Sequence, residues 1–428
     1  MSKKKQRDHV IDPGHKVDYN CTVFPENTVL VIGGGASGLM AAIKAAETGA
    51  KVTLIEQNDK NGKKINATGN GRCNFTNSSW EGDVIRGSHP EFAAYALKEF
   101  SVQDTLDFFR EIGVIPVEKN GYYYPASGQA SSVTALLNLK ARSLGVKMKS
   151  NESAKSIRSL TGTDVNGNSG QFWQVLTEGW HYEAASVILA CGSCASNIMG
   201  SDGSGYELAS SLGHTIIKPL PALTGLKLSG KSSIFAKWAG VRAEGRVSVY
   251  VDGSLAAEER GELQLTDYGI SGIPVFQVSR YAIRALDEGK KVSVCLDFVP
   301  DTEAEVFAEE MQKRMKACPY KSIEEQFLGW LPDKLISALE IQESHMDILK
   351  NLRLDVKEGL PFSNAQVAAG GVNTEEVDAY TMESGLAAGI YFAGELLDID
   401  GTCGGYNLQW AWSSGALAGR CAAERNQK

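Results

Sequence analysis

The N-terminal part of the chain alternates short apolar runs with stretches of helical periodicity. Val29 to Ile32 is a continuous apolar run typical of a strand buried on both faces. The stretch from Ala36 to Thr48 repeats apolar residues at helical spacing, and Gly49 is placed to end the helix. Lys51 to Ile55 then predicts a second strand. The order strand, helix, strand predicts an α/β fold with a parallel sheet.

A glycine-rich turn joins the first strand to the helix. Gly33, Gly35 and Gly38 have the spacing G-x-G-x-x-G, in which the glycines permit a tight turn, close approach of a pyrophosphate and tight helix packing. Glu56 ends the second strand about 20 residues further on, where a carboxylate can accept both hydroxyls of an adenosine ribose. The turn therefore predicts a dinucleotide with an unphosphorylated ribose, although it does not distinguish NAD from FAD.

The pattern changes in the middle of the chain and then returns. Alternating runs such as Arg246 to Val251 and Lys291 to Phe298 predict antiparallel strands, interspersed with helices. A buried-strand run, Gly389 to Ala393, is followed by a second glycine-rich turn, GTCGGYN, that opens a helix near Tyr406. Both turns can reach one cofactor only if the two ends of the chain form one domain. We therefore predict a polar tail at 1–28, a discontinuous nucleotide-binding domain at 29–212 and 358–428, and an inserted domain at 213–357.

Three stretches between these elements leave alternatives open. Glu91 to Gly113 predicts one amphipathic helix, and Lys147 to Ile157 predicts a strand. In NGYYYP, Asn120 to Pro125, the tyrosines either line a substrate cavity or alternate in a half-buried strand. QLTDYGISGIP, Gln264 to Pro274, is either a loop that faces a ligand or a surface turn.

Charge and composition narrow the class of protein. The chain has 43 Lys and Arg against 51 Asp and Glu, a net charge of −8, which does not suggest a nucleic-acid partner. Eight cysteines in 428 residues, without a signal peptide, favour reduced thiols in the cytoplasm. No apolar run approaches the length of a membrane helix, and no metal site is predicted.

The cysteines offer two candidates for chemistry. Cys191 and Cys194 form a C-x-x-C pair at the end of a predicted strand, either as a redox dithiol or, as we favour, as small packing residues. Cys73 lies in a glycine-rich and asparagine-rich loop and is the nearest candidate for a reactive side chain. A packed loop cysteine is the favoured interpretation there too.

Three longer motifs carry a family resemblance. GGGASG at Gly33 to Gly38, GKKINATGNGRCNFTN at Gly62 to Asn77, and AGELLDIDGTCGGYNLQWAWSSG at Ala393 to Gly415 together resemble the BaiN/YhiN-like flavoproteins, often labelled the aminoacetone oxidase family. The resemblance covers nearly all of the chain after residue 28. It implies FAD as cofactor and a discontinuous Rossmann-like FAD-binding domain with an inserted β-barrel and helical domain.

The resemblance also implies positions for the cofactor. Residues 33–38 would hold the pyrophosphate, Glu56 the adenosine ribose, Ala154 the adenine, Glu395 the ribityl chain, and the amides of 405–408 the pyrimidine side of the flavin. The full predicted set is Gly33, Gly34, Gly35, Ala36, Ser37, Gly38, Glu56, Gln57, Lys64, Gly71, Arg72, Cys73, Asn74, Ala154, Gly192, Gly394, Glu395, Gly405, Tyr406, Asn407 and Leu408. The family often has a histidine where Asp267 stands here, so no histidine acid or base is carried over.

The expected function is that of an FAD-dependent oxidoreductase. A hydride would pass through flavin N5 between a small organic substrate and NAD(P)H or another acceptor. Because only one dinucleotide fingerprint is present, the flavin would be reduced either by the substrate itself or by NAD(P)H as a transient donor. Apart from Cys73, no catalytic residue is predicted, and the oligomeric state is left open. The alternatives are a flavin-dependent RNA-modifying protein, a non-catalytic flavoprotein scaffold and, less favoured, a disulfide reductase using Cys191 and Cys194.

Overall fold

The computed structural model describes residues 24–163, 169–196 and 200–427, so most of the predicted polar tail at 1–28 lies outside the described residues. The strands are β1 Thr28–Ile32, β2 Lys51–Glu56, β3 Thr76–Asn77, β4 Ile85–Gly87, β5 Pro116–Lys119, β6 Tyr122–Pro125, β7 Lys147–Ser150, β8 Ser156–Thr163, β9 Ser169–Leu176, β10 His181–Ala184, β11 Ser186–Leu189, β12 Ile216–Ala222, β13 Leu226–Leu228, β14 Arg242–Val251, β15 Ser254–Leu265, β16 Gly269–Ser271, β17 Val292–Asp297, β18 Leu352–Gly359, β19 Val367–Val372, β20 Ile390–Phe392 and β21 Ile399–Gly401.

Twelve α-helices accompany these strands in the part of the chain that the structure describes. They are α1 Ala36–Glu47, α2 Lys63–Ala67, α3 Ala93–Glu99, α4 Val102–Glu111, α5 Ala130–Ser143, α6 Ser204–Ser211, α7 Ser232–Trp238, α8 Ile273–Asp287, α9 Ala304–Ala317, α10 Ile323–Phe327, α11 Asp333–Leu339 and α12 Tyr406–Arg425.

A parallel sheet joins the two ends of the chain. Its strand order is β20-β11-β1-β2-β7, and β1 pairs in parallel with both β2 and β11. The short strand β20 comes from the C-terminal part and pairs with β11, with Ile188 opposite Tyr391. The predicted discontinuous α/β architecture is therefore seen in the strand order.

The middle of the chain forms a closed barrel. Its order is β13-β16-β15-β14-β17-β18, and α8 packs against β14 and β15. Alternate residues such as Val247, Val249 and Leu263 are fully buried in a second hydrophobic core, separate from that of the parallel sheet. The predicted fold class is confirmed, whereas the boundaries 29–212, 213–357 and 358–428 stay a prediction.

Helices α1 and α12 bring the two ligand-facing ends of the chain together. A β-carbon at Gly415 would lie 2.4 Å from the Ser37 carbonyl oxygen, and one at Gly419 would lie 2.3 Å from that of Ala41. The two helices therefore pack backbone against backbone, which only glycine permits at these positions.

Two of the predicted elements are divided in the structure. The helix predicted at 91–113 is interrupted before α4, where Ser101 caps the new helix by a capping box with Asp104. The strand predicted at 147–157 ends at Ser150, and Asn151 turns the chain with a φ of 59° before β8 begins in a different sheet. Side-chain caps and left-handed turns end these elements although the apolar pattern continues.

Candidate active site

A large cavity lies between the glycine turn after β1, the loop after β2 and one wall of the barrel. Its volume is about 1120 Å³, above the range of roughly 300–1,000 Å³ usual for a single ligand site. A long cofactor and a substrate can therefore share it.

The first glycine turn forms one end of the cavity. Gly33 has a φ of 107°, and a β-carbon there would lie 2.4 Å from the Ala190 carbonyl oxygen. A β-carbon at Gly38 would lie 1.9 Å from the Gly33 carbonyl oxygen, whereas one at Gly35 would meet no protein atom within 4 Å. Helix α1 begins at Ala36 without a side-chain cap. The turn thus offers free amides and an open approach to an anion.

Glu56 lies at the end of β2 with its carboxylate held in place. Its Oε2 accepts a hydrogen bond from the Gly34 amide at 2.6 Å, and its Oε1 accepts one from the Asn58 amide at 2.8 Å. The residue is buried yet lines the cavity, as does Ala154. This is the position at which a ribose hydroxyl would be expected beside the phosphate turn.

The second glycine turn faces the same cavity. Gly405 has a φ of 95° and precedes α12, which has no side-chain cap. Asn407 holds the turn closed, because its Oδ1 accepts from the Gly401 amide at 2.7 Å and its Nδ2 donates to the Gly401 carbonyl at 2.8 Å. The buried Asn74 Oδ1 lies beside this turn and accepts no hydrogen bond from the described residues. Free helix amides and an orphaned acceptor fit a polar cofactor ring.

Glu395 joins the loop after β2 to the C-terminal part of the chain. Its Oε2 lies 2.7 Å from the Lys64 ammonium, and its Oε1 accepts from the Ser193 hydroxyl at 2.8 Å and the Ala368 amide at 3.1 Å. Lys64 and Glu395 both line the cavity. The ion pair fixes the wall at which the two ends of the chain meet.

Most of the predicted cofactor-binding residues line the cavity, and the others do not. Those lining the cavity are Gly33, Gly35, Ala36, Ser37, Glu56, Gln57, Lys64, Arg72, Asn74, Ala154, Gly192, Glu395, Gly405, Asn407 and Leu408. Those that do not are Gly34, Gly38, Gly71, Cys73, Gly394 and Tyr406. Tyr406, for example, donates its hydroxyl hydrogen to the Ser79 carbonyl at 2.7 Å. The binding role of the whole set stays a prediction.

The structure does not support a reactive cysteine. Cys73 is fully buried, and burial raises the pKa of its thiol to about 12. Burial likewise raises the pKa of Cys191 to about 12 and raises the pKa of Cys194. A nucleophilic or redox-active thiol needs a lowered pKa, so all three fit packing roles better.

The barrel contributes a wall that the motifs did not reveal. Gly261, Gln264, Gly272, Pro274 and Phe276 line the cavity. The two ends of the loop predicted at 264–274 therefore face the ligand, but Asp267 does not line the cavity. Only the clustered glycines of this stretch signalled the site.

Two negative findings concern the part of the chain that the structure describes. There, no helix has the length and apolar character needed to cross a bilayer. No group of His, Cys, Asp and Glu side chains there could hold a metal ion.

Comparison with known proteins identifies the family. The model of the HI0933-like protein Rossmann domain matches residues 27–421. The chain is 43% identical over 419 residues to the 3-dehydro-bile acid delta(4,6)-reductase of Clostridium scindens, covering 93% of this chain and 100% of that protein.

More distant relatives have another activity. The chain is 29% identical to the ribosomal RNA dihydrouridine synthase of Escherichia coli, covering 90% of this chain and 95% of that protein. Among solved structures, a flavocytochrome c3 fumarate reductase covers 100% of this chain and 83% of its own at 14% identity and a TM-score of 0.49. A structural similarity of that size says nothing about activity.

The family match confirms the predicted Rossmann-type FAD-binding fold and the predicted oxidoreductase class. This chain belongs to the HI0933-like family and is an oxidoreductase with the FAD-binding fold of that family.

Proposed function

We propose that this protein reduces a carbon–carbon double bond conjugated to a carbonyl group in a polycyclic small molecule of the 3-oxo bile-acid class. The observation that carries the proposal is the 43% identity over the whole length of a 3-dehydro-bile acid delta(4,6)-reductase. The dihydrouridine synthases support the same bond chemistry, because dihydrouridine differs from uridine by two hydrogens across a double bond conjugated to a carbonyl.

The substrate side of the cavity suits an apolar ring system. Leu223, Ile273, Pro274 and Phe276 line it opposite the glycine turns, and Ile273 is 59% exposed. An exposed isoleucine beside buried apolar groups is a surface that an apolar ligand would cover. A fused-ring ketone fits this wall better than a charged nucleotide does.

FAD supplies the hydride when it is bound and reduced. The free amides at the starts of α1 and α12 would hold its phosphates and its pyrimidine edge, and Glu56 would accept its ribose hydroxyls. The open space over Gly35 supports the same assignment. We further propose NAD(P)H as the transient electron donor.

Reduction of uridine in ribosomal RNA is the second candidate, supported by the more distant relatives. The cationic side chains that line the cavity favour an RNA substrate less than a small molecule. Three of these cations, Lys63, Arg242 and Arg260, lie within 2.6–2.8 Å of Asp59, Glu262 and Asp301, respectively, whereas Lys60 and Arg72 have no ion pair among the described residues. Binding of RNA phosphates would have to displace these carboxylates, and the net charge of −8 opposes it further.

An anaerobic titration with NADH and then NADPH tests the donor. We expect the visible band of the flavin to bleach on a catalytic timescale with at least one of them. A band that persists with both would contradict a nicotinamide donor, and a purified protein that takes up no FAD would contradict the cofactor assignment.

A further inference from the structure

Two of the three consecutive tyrosines in NGYYYP face the cavity. Tyr122 and Tyr124 line it, whereas Tyr123, between them on β6, packs against the core of the parallel-sheet part. Successive side chains of a strand point to opposite faces. Strand β6 therefore presents the phenols of Tyr122 and Tyr124 on one face and that of Tyr123 on the other. The tyrosines thus alternate in a half-buried strand, and two of the three line the cavity.

The two tyrosine rings lie beside the two glycine-rich segments near which a cofactor ring is expected. A β-carbon on Gly404, next to the start of α12, would lie 3.3 Å from Tyr122 Cε1. One on Gly69, in the loop after β2, would lie 3.7 Å from Tyr124 Cε1. The rings thus stand against both glycine-rich segments, close to the orphaned Asn74 Oδ1.

Neither hydroxyl is engaged by the described protein. The hydroxyls of Tyr122 and Tyr124 form no hydrogen bond to any residue in 24–163, 169–196 or 200–427, in contrast to the hydroxyl of Tyr406, which donates to the Ser79 carbonyl. A phenol on a cavity wall without a protein partner can donate to a ligand.

The reaction needs a proton donor. Reduction of a conjugated double bond requires a hydride at one carbon and a proton at the other. No histidine of the described chain lines the cavity. The thiols of Cys191 and Cys403 do line it, but burial raises the pKa of each to about 12.

We propose that Tyr122 and Tyr124 form the proton-donating wall of the substrate site. The inference rests on the proposed function. Reduced FAD, when bound, would supply a hydride to the carbon distant from the carbonyl, and the electron pair of the double bond would move to the carbon next to the carbonyl. That carbon takes the proton of a tyrosine as the O–H bond breaks and a C–H bond forms. Water returns a proton to the phenolate.

Two features of the surroundings of Tyr124 act on its hydroxyl in opposite directions. Burial raises the pKa of the hydroxyl, which favours the protonated form. The positive charge of Arg72 acts in the opposite direction and stabilises a phenolate once the proton has left.

The test uses the FAD-loaded protein and three matched variants on one strand. Tyr122→Phe and Tyr124→Phe remove a cavity hydroxyl each, and Tyr123→Phe removes the hydroxyl on the opposite face. Each reduced protein is mixed anaerobically with a 3-oxo-Δ4 bile acid and, separately, with ferricyanide, which accepts electrons without needing a proton on carbon. We expect at least one cavity variant to react with the enone about 100-fold more slowly or worse, with ferricyanide rates and the Tyr123→Phe protein unchanged.

A second readout does not depend on turnover. The oxidised, FAD-loaded protein is treated with tetranitromethane with and without the bile acid, and nitrated peptides are identified by mass spectrometry. We expect the bile acid to protect Tyr122 and Tyr124 but not Tyr123.

The outcomes separate the two proposals. Enone reduction by the wild-type protein at a rate that neither cavity substitution nor their combination lowers, or bile-acid binding without protection of either tyrosine, overturns the tyrosine inference alone. A wild-type protein that reacts with ferricyanide but not with the enone overturns the proposed function and, with it, this inference.

Discussion

At the scale of single residues, the glycines of the first turn divide into those that serve the fold and those that serve the ligand. Gly38 cannot carry a side chain because the Gly33 carbonyl oxygen is already in its place. Gly35 faces open space and is constrained by nothing in the protein. The G-x-G-x-x-G pattern predicts the turn but cannot distinguish these roles, because they depend on what lies opposite each Cα.

The substitutions Gly35→Ala and Gly38→Ala should therefore fail in different ways. Gly35→Ala should leave the melting temperature of the cofactor-free protein unchanged and weaken FAD binding about tenfold or more, since the methyl group enters the phosphate path. Gly38→Ala should cost about 1–3 kcal/mol of folding free energy through overpacking. Calorimetry and FAD titration of both variants check this. Equal losses of stability would contradict the assignment of Gly35 to the ligand.

Sequence patterns also do not show which way the side chains of Cys73, Tyr122 and Tyr124 face. Cys73 lies within a motif that resembles a cofactor-binding loop, yet the loop turns its thiol into the core with a φ of 59°. Tyr122 and Tyr124 lie in NGYYYP, for which the sequence left a cavity and a half-buried strand as alternatives, and both line the cavity. Sequence identifies a loop near a ligand more readily than it identifies the side of the loop that faces it.

At the scale of elements, α1 and α12 place two helix starts at one cavity. Their close crossing depends on Gly415 and Gly419, which lie about one turn apart on α12 and meet the α1 backbone. The sequence predicts the start of each helix well, because each follows a glycine turn. Their contact is a long-range feature that no local pattern encodes.

Substitution of Gly419 by Ala should push the two helices apart. A β-carbon would lie 2.3 Å from the Ala41 carbonyl oxygen, so we expect a lower melting temperature and weaker FAD binding even though residue 419 does not line the cavity. Glu424→Ala, at an exposed position near the end of the same helix, is the control and should change neither quantity. If the Gly419→Ala variant bound FAD as tightly as the wild type, the packing of α1 against α12 would not determine FAD binding.

At the scale of the whole molecule, a buried ion pair connects the barrel to the parallel-sheet part. Arg280 on α8 hydrogen-bonds Asp400 on β21, and their side chains are only 6% and 2% exposed. Nearby, the Gln277 side-chain oxygen accepts from the Cys403 amide at 2.9 Å. The barrel wall is thus fixed to the strand and turn that precede α12, which positions the substrate side of the cavity.

Removal of one partner of this ion pair should lower the free energy of unfolding. Asp400→Asn leaves the Arg280 charge buried without its counter-ion and should cost about 3–5 kcal/mol. Arg280→Met combined with Asp400→Leu removes both charges and should recover much of that loss. Urea unfolding measures both variants. A single substitution as stable as the wild type would show that the pair does not hold the two parts together.

The domain architecture could be predicted from the sequence better than the residues that line the cavity could. The return to buried-strand composition at β20, together with the family resemblance, was sufficient to predict a discontinuous FAD-binding domain with an inserted barrel. The barrel residues at the cavity, such as Gly261 and Phe276, could not be predicted because no local pattern indicates which barrel residues lie beside the cofactor turns.

The most direct test of the proposed function is a product analysis under anaerobic conditions. The FAD-loaded protein is reduced, mixed with a 3-oxo-Δ4 bile acid or with a uridine-containing RNA, and the products are analysed by mass spectrometry. We expect return of the flavin band with one saturated ketone, two hydrogens heavier, formed per flavin from the bile acid, and no dihydrouridine from the RNA. Dihydrouridine formation without reduction of the bile acid would contradict the proposed function.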